Sequence, residues 1–196
     1  MKIALRKRLR AARRNFSARE HAQRSRLAAL AVARLPGFSS GKRVAIYLPF
    51  DRETDTATLV RAARRRGISL YVPVITDRRR CRMSFHRYVG PLMPGHFGIE
   101  VPQCTKAALP ARWLSLVVVP SVGIDAAGNR LGMGQGFYDR AFAYRHHLLK
   151  ALGPMLVGLA FDAQRTEALP AQPWDVQLDC LATESGLQRF KRKGLT

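Results

Sequence analysis

The sequence predicts an α/β fold, with a mainly parallel sheet and helices on both of its faces. Short apolar runs typical of buried strands recur along the chain, and stretches with helical periodicity separate them. Such alternation of strand and helix is typical of parallel sheets with helical crossover connections. The length of 196 residues and the 47% apolar content suffice for one domain with a substantial core. We therefore expect residues 1–196 to form a single domain.

Two helices are expected at the N-terminus, over residues 2–14 and 18–34. Leucine and alanine side chains recur in both segments at the three- and four-residue spacing of one helix face. Between the two segments, Ser17 and Glu20 have the spacing of a capping box, in which each side chain bonds to the other residue's backbone amide. This pair predicts where the second helix begins.

The next part of the chain contains a strand–helix–strand unit. Residues 44–48 and 70–74 are short apolar runs with the length of buried strands. Between these runs, Thr54 or Asp55 is expected to cap a helix that runs to Arg66.

The rest of the chain combines regular and irregular patterns. Residues 83–88 alternate between apolar and polar side chains, which predicts an edge or half-exposed strand. Residues 89–110 are rich in Pro and Gly, so we expect a long surface connection there. A helix is expected over 138–152. The remaining apolar runs predict further strands over 116–119, 155–160 and 180–182.

The chain is strongly basic, with 34 Lys and Arg against 13 Asp and Glu and a formal net charge of +21. The excess lies in residues 1–34, 61–87 and 189–196. A positive field of this size attracts nucleic acid, anionic membranes or anionic substrates. Because no aromatic side chains interleave with the arginines of 64–66 and 78–80, we interpret most of this charge as solvated surface. A nucleic-acid-binding protein is the alternative.

The cysteines and the apolar runs exclude several classes of protein. Cys81, Cys104 and Cys180 are scattered, which argues against a disulfide framework and a cysteine zinc site. No run approaches the roughly 18 uninterrupted apolar residues of a membrane span. The first 34 residues lack the apolar segment of a secretory signal. We therefore expect a cytoplasmic protein with no membrane partner.

A glycine-rich loop is the most informative segment of the chain. Gly132, Gly134 and Gly136 follow a predicted buried strand and directly precede a predicted helix. Such glycines let backbone amides point at an anion, and the N-terminus of the following helix adds positive charge. The spacing matches neither the Walker loop nor the Rossmann fingerprint. By itself, the loop is compatible with a phosphate cradle or with a structural turn.

Residues 130–139, Arg-Leu-Gly-Met-Gly-Gln-Gly-Phe-Tyr-Asp, resemble the signature of the 5-formyltetrahydrofolate cyclo-ligase family. One departure from the pattern is Gln135, at a position often occupied by Gly or Lys in the family. Other motifs in matching order extend the resemblance over nearly the whole chain. They are residues 2–6, 47–56, 83–85, 98–102, 157–164, 169–170, 174–179 and 183–184.

The resemblance implies an enzyme that converts 5-formyltetrahydrofolate to 5,10-methenyltetrahydrofolate with ATP and Mg²⁺, releasing ADP and phosphate. It also implies a three-layer fold like that of the sugar-phosphate isomerase and CoA-transferase superfamily, with the N-terminal helices (2–34) packing on or closing over the ATP site. The partners are then small molecules without obligate nucleic acid, and we expect a monomer. An enzyme of the same fold without folate activity is a second alternative.

The same resemblance implies roles for individual residues. The residues implied to bind ATP are Lys2, Arg6, Arg130, Gly132, Met133, Gly134, Gln135, Gly136, Phe137 and Tyr138. The residues implied to bind the folate substrate are Leu48, Phe50, Glu53, Met83, Met133, Gly134, Gln135, Gly136 and Phe137. Asp139 and Asp179 are implied to bind Mg²⁺, which prefers oxygen donors.

Each of these roles has a plainer alternative. Lys2 and Arg6 are four residues apart and share one helix face, which would otherwise be a solvated basic surface. Arg130 would otherwise form a structural ion pair, and the apolar residues would be ordinary core. Asp139 would otherwise interact with the N-terminus of its own helix.

Overall fold

The computed structural model describes residues 2–103, 108–147 and 153–191. Within these ranges the α-helices are α1 (Lys2–Arg14), α2 (Ala18–Ala33), α3 (Ala57–Arg65) and α4 (Phe137–Ala141). Short 3-10 helices cover His96–Gly98, Ala111–Trp113, Ala143–His147 and Asp162–Gln164. No helix in the described part of the chain is long and apolar enough to cross a membrane.

The strands of the described residues form one large sheet and two small ones. They are β1 (Arg43–Ala45), β2 (Ser69–Asp77), β3 (Arg82–Arg87), β4 (Leu92–Pro94), β5 (Glu100–Pro102), β6 (Ala108–Leu109), β7 (Leu116–Pro120), β8 (Gly123–Asp125), β9 (Arg130–Leu131), β10 (Met155–Leu159), β11 (Arg165–Thr166), β12 (Cys180–Thr183) and β13 (Gly186–Arg189). The large sheet has the order β13-β12-β10-β7-β1-β2-β3-β6. Its inner strands, from β12 to β2, are parallel, and antiparallel strands extend both edges. The predicted α/β fold is confirmed.

The central strand β7 is buried because other elements cover both faces of the sheet. Residues 116–119 are at most 1% exposed, so this strand is a continuous apolar run rather than an alternating one. Leu116 and Val118 pack in the core formed with α2 and α3. Val117 and Val119 pack in the opposite core, which contains Phe142 directly after α4. The sheet is thus the middle of three layers, with one hydrophobic core on each of its faces.

The N-terminal helices form as the sequence predicts. The side chain of Ser17 accepts a hydrogen bond from the Glu20 amide, and the Glu20 carboxylate accepts one from the Ser17 amide. This capping box satisfies backbone donors that the first turn of α2 leaves free. The predicted start of the second helix is therefore confirmed.

The segment predicted as a long surface connection contains strands. β4 and β5 form an antiparallel hairpin, and β6 pairs with β3. The strand predicted at 83–88 as an edge or half-exposed strand is therefore paired on both sides, by β2 and β6, and Phe85 is buried. The local composition did not reveal this pairing, since the Pro and Gly residues also supply the hairpin turn, where Gly98 has a φ of +73°. Residues 104–107 lie outside the described residues.

The start of α3 differs from the predicted cap. The N-cap residue is Thr56, and the helix begins at Ala57. Asp55 contributes differently, because its Oδ1 accepts from the Ala57 amide at 2.8 Å. The Thr54 carbonyl is engaged by the buried Tyr47 hydroxyl at 2.7 Å, which holds Thr54 outside the helix.

The helix predicted over 138–152 is much shorter. It ends at Ala141, and a 3-10 helix over Ala143–His147 follows. Phe142 at the junction is fully buried, and the nearby Arg145 donates to the Pro154 carbonyl at 3.0 Å. Tertiary packing therefore overrides the local helical pattern. Residues 148–152 lie outside the described residues.

The sheet brings the glycine-rich loop to the carboxyl edge of its parallel strands. After β7 ends, β8 and β9 pair in a small sheet with β11. The loop over 132–136 follows β9 directly and leads into α4. Open α/β sheets bind ligands at this edge.

Candidate active site

A cavity of about 900 Å³ lies at the carboxyl edge of the central sheet. Its walls come from β2, from the segments that follow β1 and β7, from the β4–β5 hairpin and from the glycine-rich loop. Small-molecule sites typically occupy roughly 300–1,000 Å³. The cavity therefore has room for a large ligand or for two ligands in contact.

The glycine-rich loop forms one wall of the cavity, and every residue from Gly132 to Tyr138 borders it. Gly134 has a φ of +107° and Gly136 a φ of +73°, a backbone region that L side chains rarely adopt. A Cβ atom at Gly132 would lie 2.6 Å from Nη1 of Arg130. The positive φ values therefore favour glycine at Gly134 and Gly136, whereas a Cβ atom at Gly132 would require the Arg130 side chain to move.

Helix α1 supports the glycine-rich loop through Arg6. The Nε of Arg6 donates to the Gly132 carbonyl at 2.8 Å. Lys2, on the same helix face, has its Nζ 3.6 Å from Oδ2 of Asp175. Neither Lys2 nor Arg6 is among the residues that border the cavity. Their contacts with ATP stay a prediction.

The opposite wall of the cavity carries the residues expected to hold a folate. Leu48, Phe50, Glu53 and Met83 all border the cavity. Phe50 is 44% exposed, which excludes the ordinary-core alternative for this side chain. The structure thus brings the predicted folate residues and the predicted ATP residues of 130–138 around one cavity, whereas Lys2 and Arg6 do not border it.

Glu53 supplies a carboxylate to the apolar wall. Its Oε2 accepts from the Phe50 amide at 3.3 Å, and its side chain is 13% exposed. Burial raises the pKa of Glu53 above its ordinary value, although the positive charge of Arg13 and the Phe50 amide oppose this effect. A desolvated acceptor of this kind pairs well with N–H donors of a ligand.

Arg130 and Tyr138 lie where the glycine-rich loop meets α4. The guanidinium carbon of Arg130 lies 5.5 Å from the centroid of the Tyr138 ring. Burial raises the pKa of Tyr138 far above its ordinary value, although the charge of Arg130 opposes the shift. The Tyr138 hydroxyl therefore stays protonated at neutral pH and is a hydrogen-bond donor beside the cavity.

Asp139 is held beside the loop by an ion pair. Both of its oxygens accept from Nη2 of Arg130, at 3.0 and 3.1 Å. Its Oδ1 also accepts from the Val176 amide at 3.2 Å. The plainer alternative of a structural ion pair for Arg130 is thus present in the structure. Binding of Mg²⁺ by Asp139 stays a prediction.

Asp179 lies at the other end of the sheet. It accepts from Arg145 at 2.8 and 2.9 Å and from the Leu156 amide, near the amino end of β10, at 2.7 Å. In the structure each of the two predicted Mg²⁺ ligands is paired with a different arginine. Within the described ranges, no group of three or more His, Cys, Asp or Glu side chains could hold a metal ion. A joint Mg²⁺ site at Asp139 and Asp179 stays a prediction.

Two parts of the site were not predicted. The β4–β5 hairpin lines the cavity, although its motif at 98–102 was recognised without a site role. An arginine cluster on α1, formed by Arg10, Arg13 and Arg14, converges on Asp51. The three-residue spacing between Arg10 and Arg13 was a signal that both point to one side, but Asp51 as their common partner was not visible in the sequence.

Comparisons with known proteins agree on one family. A sequence model described as the 5-formyltetrahydrofolate cyclo-ligase family matches residues 1–184. The 5-formyltetrahydrofolate cyclo-ligase of Haemophilus influenzae is 36% identical over 140 residues, which cover 70% of this chain and 73% of that protein. The protein of the same name from Escherichia coli K12 is 31% identical over 181 residues, which cover 90% and 97%. The solved structure of Aquifex aeolicus 5,10-methenyltetrahydrofolate synthetase matches with a TM-score of 0.80 at 31% identity, covering 100% of this chain and 95% of that one.

Proposed function

The chain belongs to the 5-formyltetrahydrofolate cyclo-ligase family, and we propose that it converts 5-formyltetrahydrofolate to 5,10-methenyltetrahydrofolate at the expense of ATP. The observation that carries the proposal is the shared cavity, which apolar side chains, the Glu53 carboxylate and a glycine-rich loop all border. A phosphoryl transfer from a nucleotide to a folate needs the two ligands to meet in one space.

The folate occupies the apolar wall in this proposal. Leu48, Phe50 and Met83 pack against the flat ring system. Glu53 accepts hydrogen bonds from N–H groups of the pterin, as its desolvated position favours. The β4–β5 hairpin closes the side of the cavity and excludes water from the folate.

The triphosphate of ATP lies along the glycine-rich loop. Backbone amides between Gly132 and Phe137 are the donors, since no Cβ atom blocks approach at the glycines. Arg130 borders the cavity and shares its positive charge with Asp139. Arg6 and Lys2 approach from α1, where Lys2 exchanges Asp175 for a phosphate oxygen. Met133, Gln135 and Phe137 lie between the nucleotide and the folate.

The reaction then proceeds through phosphorylation of the substrate. The formyl oxygen attacks the γ-phosphorus, and ADP leaves. The N10 of the folate attacks the activated carbon and loses its proton, and the ring closes as inorganic phosphate departs. The protein contributes positioning and charge neutralisation rather than a covalent nucleophile. We assign the protonated Tyr138 hydroxyl the role of hydrogen-bond donor to the reacting groups, since Tyr138 borders the cavity.

In the proposed reaction Mg²⁺ arrives bound to ATP. Separate arginines hold the carboxylates of Asp139 and Asp179 in the structure, so the proposal assigns neither of them to a resident metal site. Mg²⁺ often binds proteins through one or two carboxylates together with substrate phosphates. We therefore treat the Mg²⁺ complex of ATP as the co-substrate, and no step above depends on a metal held by the protein.

The experiment is a product assay. The purified protein is mixed with Mg²⁺-ATP and 5-formyltetrahydrofolate, and the near-ultraviolet absorbance of the methenyl product is followed. Absorbance is expected to rise only when ATP and the folate are both present. A folded protein that gives no rise would exclude the proposal in favour of an enzyme of this fold without folate activity.

A further inference from the structure

Arg13 is a buried cation behind the proposed folate wall. It lies on α1 and is 1% exposed. Its Nε donates to the Asp51 carbonyl at 3.1 Å, and its Nη2 donates to Oδ2 of Asp51 at 3.1 Å. A buried arginine with a fixed fork of donors holds its partners in one geometry. Arg13 therefore contributes to holding the turn over residues 50–53, the Asp51 turn, against α1.

The turn that Arg13 holds has a strained backbone. Asp51 has a φ of +51° and Arg52 a φ of +57°, a region that residues other than glycine rarely adopt. Such conformations persist only where the surroundings impose them. Arg10 contributes to this restraint, because its Nη2 donates to Oδ2 of Asp51 at 2.6 Å. Arg14 contributes as well, through hydrogen bonds to the other Asp51 oxygen.

Phe50 and Glu53, at the two ends of this turn, both border the cavity, and Glu53 is the charged one. The turn closes on itself, since the Glu53 amide donates to the Phe50 carbonyl at 3.0 Å and the Glu53 carboxylate accepts from the Phe50 amide. The Nη1 of Arg13 lies 4.0 Å from Oε1 of Glu53. This Nη1 is buried and has no hydrogen-bond partner among the described residues. This donor of Arg13 therefore lies within ion-pair distance of the Glu53 carboxylate.

We propose that Arg13 is a positioning residue for Glu53, which holds this carboxylate in the folate half of the cavity by fixing the Asp51 turn against α1. The proposal rests on the proposed function, because it assumes that Glu53 contacts the substrate. It assigns Arg13 no contact with substrate. The same helix also contacts the glycine-rich loop through Arg6, so α1 contacts both the folate half and the ATP half of the proposed site.

The charges around Glu53 agree with this role. Burial raises the pKa of Glu53, the charge of Arg13 lowers it, and the charge of Asp51 raises it. The buried hydroxyls of Tyr47 and Tyr138 also face this carboxylate. Arg13 is thus the cation that opposes the upward shift of the Glu53 pKa that burial causes. Without Arg13, Glu53 would take up a proton at a higher pH than in the native protein.

The test is a double-mutant cycle on binding of 5-formyltetrahydrofolate, measured by calorimetry on Arg13→Gln, Glu53→Gln and the double variant. Arg13→Gln is expected to weaken binding about tenfold or more, as for loss of a charge-assisted hydrogen-bond anchor. In the Glu53→Gln background, the same change is expected to have little further effect, because Arg13 acts through Glu53. Arg8→Gln, at an exposed position of the same helix, is the charge-matched control and is expected to bind normally.

The pH dependence separates positioning from a general loss of structure. Binding needs ionised Glu53 in this account, so it is lost as the pH falls through the Glu53 pKa. Arg13→Gln is expected to move this acid limb upward by about one pH unit. Arg13→Lys keeps the positive charge without the guanidinium fork. It is expected to restore the pH of the acid limb to its wild-type value but not the full affinity, and it carries the test if Arg13→Gln does not fold.

Additive effects in the double-mutant cycle, or an acid limb at an unchanged pH, would overturn the proposal. If the wild-type protein binds no 5-formyltetrahydrofolate, the proposed function itself fails.

Discussion

Gly134 shows how a single missing side chain shapes the site. Its φ of +107° is accessible to glycine, and a Cβ atom would lie 3.3 Å from Nη2 of Arg6. The loop therefore needs glycine both for its backbone and for the approach of α1. Sequence spacing predicted the need for glycine, and the structure adds the contact with Arg6 as a reason.

Gly134→Ala is expected to raise the KM for ATP about tenfold, because strain of about 1–2 kcal/mol displaces the loop or Arg6. Steady-state kinetics with varied ATP measures this change. Gly41→Ala is the matched control, since Gly41 also has a positive φ of +71° but has nothing within 4 Å of its would-be Cβ atom and does not border the cavity. That control is expected to lose stability without a change in KM. An unaltered KM in Gly134→Ala would show that the loop does not hold the nucleotide.

Asp179 forms an ion pair near the amino end of β10 that is expected to stabilise the fold. Its partner Arg145 has a side chain that is 5% exposed, and removal of one member of a buried pair leaves an uncompensated charge. Asp179→Asn is therefore expected to lower the free energy of unfolding by about 3 kcal/mol, measured by urea denaturation. The Mg²⁺ concentration that gives half-maximal turnover is expected to stay unchanged. A large shift in that concentration would return Asp179 to the metal site.

At the scale of elements, α1 is the connection between the two halves of the cavity. Its N-terminal half contacts the glycine-rich loop through Arg6, and its C-terminal half contacts the Asp51 turn through Arg13. A helix keeps these two contacts at a fixed separation, since it rises about 1.5 Å per residue. The element is therefore more than the solvated basic face that its composition also allowed.

Lys2→Ala is expected to raise the KM for ATP several-fold and to leave the KM for the folate nearly unchanged, because Lys2 lies at the end of α1 that carries Arg6. The ion pair with Asp175 is partly exposed and 3.6 Å long, so its loss should cost under about 1 kcal/mol of stability. Lys7→Ala, at an exposed position of α1, is the control. Equal KM values for ATP in wild type and Lys2→Ala would support the solvated-face alternative.

The elements also show what local sequence patterns convey. The capping box at Ser17 and the apolar run of β7 were predicted correctly, because both follow from neighbouring residues. The β4–β5 hairpin and the early end of α4 were missed, because they depend on pairing and burial of residues distant in sequence. The residues of the site also divide into those predictable from neighbouring residues and those that depend on contacts distant in sequence. The residues of the glycine-rich loop were predicted from a contiguous motif, whereas the Asp51 partner of three arginines required the folded chain.

At the scale of the whole molecule, the net charge of +21 has more than one use. Part of it is structural, as with Arg66, whose Nη1 donates to the Ala33 and Phe38 carbonyls at the end of α2. Another part belongs to Arg10, Arg13 and Arg14, which hold the Asp51 turn in place through ion pairs. The remaining field is suited to attract two anionic substrates to the cavity.

Substrate capture is expected to weaken as salt screens this field. The kcat/KM for 5-formyltetrahydrofolate should fall several-fold between about 20 and 300 mM salt, since the Debye length shortens over this range. Stopped-flow or initial-rate assays at constant pH measure this dependence, and kcat serves as the internal control because it is insensitive to capture. A kcat/KM that is independent of salt would remove substrate steering from the account.

The most direct measurement of the central claim is the ratio of ADP to 5,10-methenyltetrahydrofolate formed by the wild-type protein with Mg²⁺-ATP and 5-formyltetrahydrofolate. Formation of the methenyl product is followed by absorbance, and ADP is quantified by chromatography in the same samples. The account predicts one ADP for each methenyl product and neither product when one substrate is omitted. Methenyl product without ADP, or ADP at the same rate without the folate, would contradict phosphorylation of the formyl oxygen in a shared cavity.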